Sequence, residues 1–221
     1  MRILNSNVDL RYQHLKEIPN SIAMDSCNGF YDVSNNNLTS LKNSPVSVVG
    51  EFCCHRNKLT SLIEGPQFVS DIYRCQDNRL VSLNGIAKFT KDRPELTCGY
   101  NKITSLTGNG FESVRFGVFN VESNSLVSLN GSPKETTLYN CSNNPIVSFE
   151  GAPLNVTRNF IAENLPKLKN LSGLPREVSG IVFLSMADML RVFPNLTKYD
   201  KDIMIDEIKR KCRVWGDIYI Q

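Results

Sequence analysis

The stretch that decides the fold lies at residues 52–62 and returns, with the same pattern, at residues 73–83. The first stretch is FCCHRNKLTSL and the second is YRCQDNRLVSL. Each has an aromatic residue, a cysteine two positions later, an asparagine three positions further on, and then two leucines. Because self-similarity at an interval of about 20 residues is typical of stacked repeats, the pair predicts a solenoid.

The repeat extends along most of the chain. Its asparagine recurs every 20 to 23 residues, at Asn36, Asn57, Asn78, Asn101, Asn124, Asn144 and Asn164. Leu, Ile or Phe follows two and five residues after most of these asparagines, while apolar residues precede them by three and five. The copy at Asn164 needs a two-residue insertion, and a last copy places Ile181, Phe183 and Met186 in the apolar positions. Weaker copies at both ends bring the total to about nine, so we expect the solenoid to span residues 1–186.

The pattern resembles the leucine-rich repeat, and its short form resembles repeats of secreted bacterial effectors and of tailed-bacteriophage proteins. Apolar residues that alternate with polar ones before each asparagine indicate a short strand. The predicted fold is therefore a leucine-rich-repeat-like solenoid, a stack of parallel β-strands with few helices. We expect each asparagine amide to bond to backbone groups of its own and of neighbouring copies.

Residues 187–221 are predicted to form a helical C-terminal cap. Ser185 and Asp188 are spaced as capping residues of a short helix that ends before Pro194. A second helix, from about residue 200 to 213, has apolar residues at helical spacing and covers the open end of the repeat core. Residues 214–220 are predicted to be an extended tail.

Composition limits the classes of function. The chain has 221 residues, of which 41% are hydrophobic and 21% charged, with a formal net charge of +3. This balance is typical of a globular protein and does not favour a nucleic-acid or membrane-surface binder. No apolar run has transmembrane length and no secretory signal is recognised, so we expect a cytoplasmic protein without membrane contacts.

The chemistry-bearing residues do not indicate an enzyme. Phosphate-binding glycine motifs and zinc-ligand spacings are missing from the sequence. Cys54, Cys75, Cys98 and Cys141 share one apolar position of the repeat, which predicts buried thiols. We expect them to be reduced, although the strand spacing also permits disulfides. Cys53 is expected to be more exposed. It lies about 6.5–7 Å from His55 along one strand face, too far for a catalytic pair. We predict no cofactor, metal or catalytic residue.

The outward strand positions, four and two residues before each asparagine, vary from copy to copy. Such variation is typical of a surface that can specialise, and Arg and aromatic side chains are common at protein interfaces. The predicted partner-binding residues on this concave face are His55, Arg74, Gln76, Tyr100, Asn120, Glu122, Asn140 and Phe160.

These observations favour a non-enzymatic module that binds a folded protein partner through its concave strand face. The resemblance to phage repeats implies a bacterial host protein as partner, bound in the cytoplasm of an infected cell. The natural role would then be inhibition of a host enzyme or defence protein. A contact through the C-terminal cap is a variant of this hypothesis. The alternative is a structural or assembly protein, either a virion component or a self-associating module. The sequence indicates no oligomeric state.

Overall fold

Each copy of the repeat forms one coil that contributes strands to parallel sheets. The computed structural model describes residues 2–221, and the chain forms two units, Met1–Ile103 and Thr104–Gln221. Strands from successive coils pair in parallel in both units. The predicted fold class, a parallel β repeat solenoid with few helices, is confirmed.

In unit 1, five strands form one parallel sheet, five more belong to a second parallel sheet, and a short 3-10 helix spans Asn20–Ile22. The first sheet is formed, in spatial order, by β1 (Ile3–Leu4), β3 (Ser26–Cys27), β5 (Ser47–Val48), β7 (Phe68–Val69) and β9 (Lys88–Phe89). The second, which we call the face sheet, is formed by β2 (Val8–Asp9), β4 (Tyr31–Asp32), β6 (Glu51–Cys53), β8 (Ile72–Arg74) and β10 (Glu95–Thr97).

Unit 2 has eight parallel-paired strands and a 3-10 helix, Phe111–Ser113. Its strands are β11 (Phe116–Asn120), β12 (Glu135–Asn140), β13 (Asn155–Val156), β14 (Phe160–Ala162), β15 (Glu177–Val178), β16 (Val182–Leu184), β17 (Arg213–Val214) and β18 (Ile218–Ile220). The long strand β12 pairs with β13 through its first residues and with β14 through its last. The face sheet of unit 2 is thus β11, β12, β14, β16 and β18.

The inward side chains of the face strands form continuous apolar rows. In unit 1, the rings of Tyr31 and Phe52 stack at 6.0 Å and those of Phe52 and Tyr73 lie 5.0 Å apart. All three residues are fully buried, as is Cys54 in the neighbouring cysteine row. Since burying one large apolar side chain stabilises a fold by about 1.5–3 kcal/mol, each coil is stabilised mainly by its neighbours.

The asparagines form the expected ladder between coils. The Leu38 N–H donates to Asn57 Oδ1 at 2.9 Å, and Asn57 Nδ2 donates to the carbonyls of Val33 at 3.0 Å and Cys54 at 3.1 Å. The same arrangement recurs at Asn36, Asn78, Asn101 and Asn144. The ladder therefore satisfies buried backbone groups that the turn would otherwise leave unpaired.

A residue with a left-handed backbone conformation precedes each ladder position. Its place in the seventh copy shows that the register of this copy differs from the predicted one. Arg56 and Asp77, for example, have φ of 51° and 55°, and Asn164 has φ of 54°. Asn164 is therefore the turn residue, and the fully buried Leu165 takes the ladder position. The Leu165 N–H donates to the carboxylate of Asp188 at 2.8 Å. The prediction that Asn164 belongs to the ladder is wrong, because the inserted copy shifts by one residue.

The same shift exchanges the predicted inward and outward faces of β14 and β16. Phe160, predicted to face outward, is fully buried, and its ring stacks on that of Tyr139 at 5.8 Å. In β16 the inward residues are Val182 and Leu184 rather than Phe183. Because strand side chains alternate with period two, a one-residue change of register exchanges the buried and exposed sets.

Two helices occupy the C-terminal segment, as expected. Helix α1 (Met186–Val192) begins at Ser185, whose Oγ accepts from the Asp188 N–H, and helix α2 is Lys201–Lys211. The remaining residues are more than an extended tail, since β17 pairs with β15 and β18 with β16. Along the sequence, both helices therefore come after β15 and β16 and before β17 and β18.

Candidate functional site

The outward side of the unit 1 face sheet brings charged residues of several coils together. Asp32, Cys53 and Arg74 lie side by side on β4, β6 and β8, because the strands pair in register at these positions. Ser34 and His55 occupy the next outward positions of their coils. Strands that pair on both sides hold these side chains at fixed spacing of about 4.8 Å.

These residues line a surface depression with a volume of about 370 Å³. Its lining comprises Arg11, Tyr12, Phe30, Asp32, Ser34, Asn35, Glu51, Cys53, His55, Arg56 and Arg74. The two small side chains, Ser34 and Cys53, alternate with longer ones, which accounts for the hollow. Three of the lining residues are arginines, and two are carboxylates.

Each of the three arginines has a carboxylate partner; Arg56 Nε lies 3.5 Å from Asp77 Oδ2, and the other two make closer pairs. Arg74 pairs with Glu51 on the adjacent strand, and both side chains are about one-third exposed. Arg11 donates to Asp9 at 2.6 Å, and its Nε lies 3.7 Å from Asp32 Oδ2. The hydrogen bonds from Arg11 lower the pKa of Asp9 to about 2. The guanidinium groups of Arg11 and Arg74 are therefore oriented before any partner arrives.

His55 is half-buried, and its Nδ1 is a buried atom for which the described residues supply no hydrogen-bond partner. Burial lowers its pKa below the ordinary value, and the neighbouring Arg56 and Arg74 act in the same direction, against the opposing charges of Asp32 and Asp77. The imidazole is therefore neutral at neutral pH. A neutral ring beside arginines can donate to or accept from a partner group.

Cys53 is buried, with 3% of its surface exposed, so the expectation that it is more exposed than the cysteine row is wrong. Its thiol donates to Glu51 Oε1 at 2.9 Å, which places the sulfur beneath the Glu51–Arg74 pair. Burial and this carboxylate raise its pKa well above the ordinary value. The thiol is therefore protonated and bonded to Glu51 rather than to His55. None of the seven cysteines, all of which lie within residues 2–221, forms a disulfide, and all are buried.

Two further predicted residues of unit 1 lie outside the depression lining. Gln76 Oε1 accepts from Thr97 Oγ1 at 2.9 Å, so its amide is fixed by the next strand. Tyr100 is 54% exposed and has φ of 54°, a left-handed backbone that favours glycine or asparagine. The Tyr100 ring therefore projects from the turn that ends its coil.

In unit 2, three predicted residues form one polar network. Asn140 Nδ2 donates to Glu122 Oε2 at 2.9 Å, and Asn120 Nδ2 to Glu122 Oε1 at 3.4 Å. Asn140 is 9% exposed, so this network lies close against the sheet. Phe160 contributes nothing to the surface, and Ile161 takes the outward position of β14 beside Asn140.

The sequence prediction missed several residues of the depression. Arg11 occupies an outward position in the first, degenerate copy of the repeat, two residues before Gln13, which stands in the asparagine position of that copy. Glu51 lies one outward position before Cys53 on the same strand. Arg11 would have been found if the outward positions of the first copy had been included. Glu51 would have been found if the next outward position towards the start of each strand had been included.

Within residues 2–221, no group of three or more His, Cys, Asp or Glu side chains is placed to hold a metal ion. No helix in this part of the chain combines the length and apolar character needed to cross a bilayer. Comparisons with family models, curated proteins and solved structures found no match.

Proposed function

We propose that the chain is a non-enzymatic module that binds a folded protein partner through the outward face of β4, β6 and β8. One observation carries the proposal. Arginine side chains already oriented by carboxylates surround a depression of about 370 Å³ that contains both signs of charge and a neutral histidine.

Preordered side chains favour binding to a protein surface. Arginine loses considerable rotamer freedom when it is immobilised at an interface, and a side chain already held by Glu51 or Asp9 loses less. Arg and Tyr are also the residue types that contribute most at interface centres. Alternating charge then selects a complementary surface and excludes others.

The resemblance to phage repeats makes a bacterial host protein the first class of partner to test. The corresponding role is inhibition of a host enzyme or defence protein in the cytoplasm of an infected cell. A partner of that kind presents a folded surface, and its carboxylates and amides match the arginines Arg11, Arg56 and Arg74.

Affinity capture of the tagged chain from bacterial lysate, with proteins identified by mass spectrometry, tests this function. We expect one stoichiometric partner with the native chain, and about tenfold less of it with the double variant His55→Ala/Arg74→Ala. Arg115→Ala is the matched control, since it removes an exposed arginine paired with Glu135 at 3.0 Å, outside the depression.

Equal recovery of the partner with the double variant and the control would contradict binding through this face. Recovery of the chain itself or of virion components alone would instead favour the assembly alternative. Sedimentation at several concentrations then measures whether the chain self-associates.

A further inference from the structure

The outward face of unit 2 carries an apolar stripe that the sequence pattern had placed inside the fold or left unassigned. Ile161, Phe183 and Tyr219 occupy directly paired positions on β14, β16 and β18. The rings of Phe183 and Tyr219 stack at 5.6 Å with an interplanar angle of 16°. Tyr219 is 44% exposed, and the other two side chains are partly exposed.

This stripe differs from the equivalent row of unit 1, where Asp32, Cys53 and Arg74 stand at the paired positions. Single exposed apolar residues are normal on protein surfaces, whereas three large ones side by side form a continuous apolar contact surface. Strands β14 and β16 are paired on both sides and β18 pairs with β16, so the sheet holds the three side chains at regular spacing on one face.

The charged residues within the face segments of unit 2 are all acidic. The face segments of unit 2 are 118–122, 138–142, 159–163, 181–185 and 217–221, and they contain three carboxylates and no Lys or Arg. The carboxylates belong to Glu122, Glu163 and Asp217.

The neighbouring cation does not neutralise this face. Arg191 donates to Asp188 at 2.9 Å and to the carbonyl of Leu165, so its guanidinium is already bound to an anionic partner. The face is therefore apolar at its centre and acidic at its borders.

We propose that the stripe formed by Ile161, Phe183 and Tyr219 docks a basic, apolar peptide segment of a partner protein. The large side chains of the segment lie on the stripe, and its lysines or arginines face Glu122, Glu163 and Asp217. This inference rests on the proposed protein-binding role and assigns to unit 2 a contact separate from the depression of unit 1.

The probe is the fluorescein-labelled heptapeptide KLKFKLK, titrated with the full chain and followed by fluorescence anisotropy. The matched peptides are ELEFELE, which reverses the charge, and KSKSKSK, which removes the apolar side chains. We expect KLKFKLK to bind at least about tenfold more tightly than either control. Binding should weaken in about 0.5 M salt, because exposed charge pairs are screened.

The variant Phe183→Ser should reduce the affinity for KLKFKLK by about tenfold or more. Phe68→Ser is its matched control, since Phe68 is 40% exposed on β7, outside both faces. If Phe183→Ser melts at a lower temperature than the native chain, Tyr219→Ser repeats the test at a more exposed position of the stripe. Circular dichroism checks the folding of each variant.

Equal binding of ELEFELE, unchanged binding by Phe183→Ser and Tyr219→Ser, or no binding of KLKFKLK at about 1 mM would overturn the proposal. The variant His55→Ala/Arg74→Ala separates the two functions. If it binds KLKFKLK as the native chain does, the stripe acts independently of the depression. Loss of peptide binding in this variant would contradict a separate site.

Discussion

Replacing Asn57 by alanine is expected to destabilise the fold strongly, because this side chain connects adjacent coils. The Leu38 N–H donates to its Oδ1 at 2.9 Å, and its Nδ2 donates to the carbonyls of Val33 and Cys54. Asn57 is 9% exposed, so water does not readily replace the amide.

The expected cost follows from the partners that remain. The buried Leu38 N–H loses its side-chain acceptor, which costs about 1–3 kcal/mol. The two carbonyls keep a second ladder bond each, from Asn36 to Val33 and from Asn78 to Cys54, both at 3.0 Å. The loss of the two hydrogen bonds from Asn57 to these carbonyls therefore adds only about 0.5–1 kcal/mol in total. Asn57→Ala should lower the free energy of unfolding by about 1.5–4 kcal/mol.

Urea denaturation followed by circular dichroism measures this change. A shift of the midpoint without a change of slope reports lost stability rather than an altered denatured state. Asn84→Ala is the control, since Asn84 is an exposed asparagine of the same unit outside the ladder. Its effect should stay within about 0.5 kcal/mol. If Asn57→Ala costs no more than Asn84→Ala, the ladder does not stabilise the coils.

Three other results are expected. Tyr139→Phe should cost about 1 kcal/mol in urea denaturation, because its hydroxyl and Ser132 Oγ share a hydrogen bond of 2.7 Å. Tyr31→Phe should be neutral or stabilising in the same assay, because the Tyr31 hydroxyl is buried without a partner among the described residues; a cost equal to that of Tyr139→Phe would contradict this. Finally, the unfolded chain protonates His55 near pH 6.5, whereas burial lowers the pKa of His55 in the fold. Stability should therefore fall as the pH is lowered from about 7 to 5. His55→Asn should reduce that fall when melting temperatures are compared across this range. The same pH dependence in the native chain and the variant would show that His55 does not cause the fall.

The repeat could be predicted from the sequence because one physical demand recurs in every coil. Each turn must satisfy the same buried backbone groups, and asparagine is suited to this because its amide both donates and accepts. That demand explains why the amides of Asn57 and Asn78 were correctly predicted to bond to backbone groups of their own and of neighbouring copies. The helix at Ser185 was likewise predictable, because capping depends on residues close together in the sequence.

The register of the later copies could not be predicted because another residue type satisfies the same demand. Asp188, oriented by Ser185 and Arg191, accepts from the Leu165 N–H in place of an asparagine. The ladder position of the seventh copy is held by Leu165, which has no side-chain amide. The asparagine pattern therefore pointed to Asn164, one residue early. The error placed Phe160 on the surface and hid the stripe of unit 2.

The ion pairs of the depression escaped prediction for a different reason, although His55 and Arg74 were predicted as binding residues. Whether Arg74 pairs with Glu51 or with another carboxylate depends on long side chains that reach between coils. The repeat pattern indicates which side chains face outward, but it does not determine these pairings. The resemblance to leucine-rich repeats stays a prediction, and so does the partner.

Hydrogen–deuterium exchange of the chain, free and bound to its captured partner, tests the binding face most directly. We expect slower exchange on binding in peptides that contain residues 51–56 and 72–77, which form the depression and its border. Slower exchange confined to residues 186–221, with 51–56 and 72–77 unchanged, would place the partner on the C-terminal segment and contradict it.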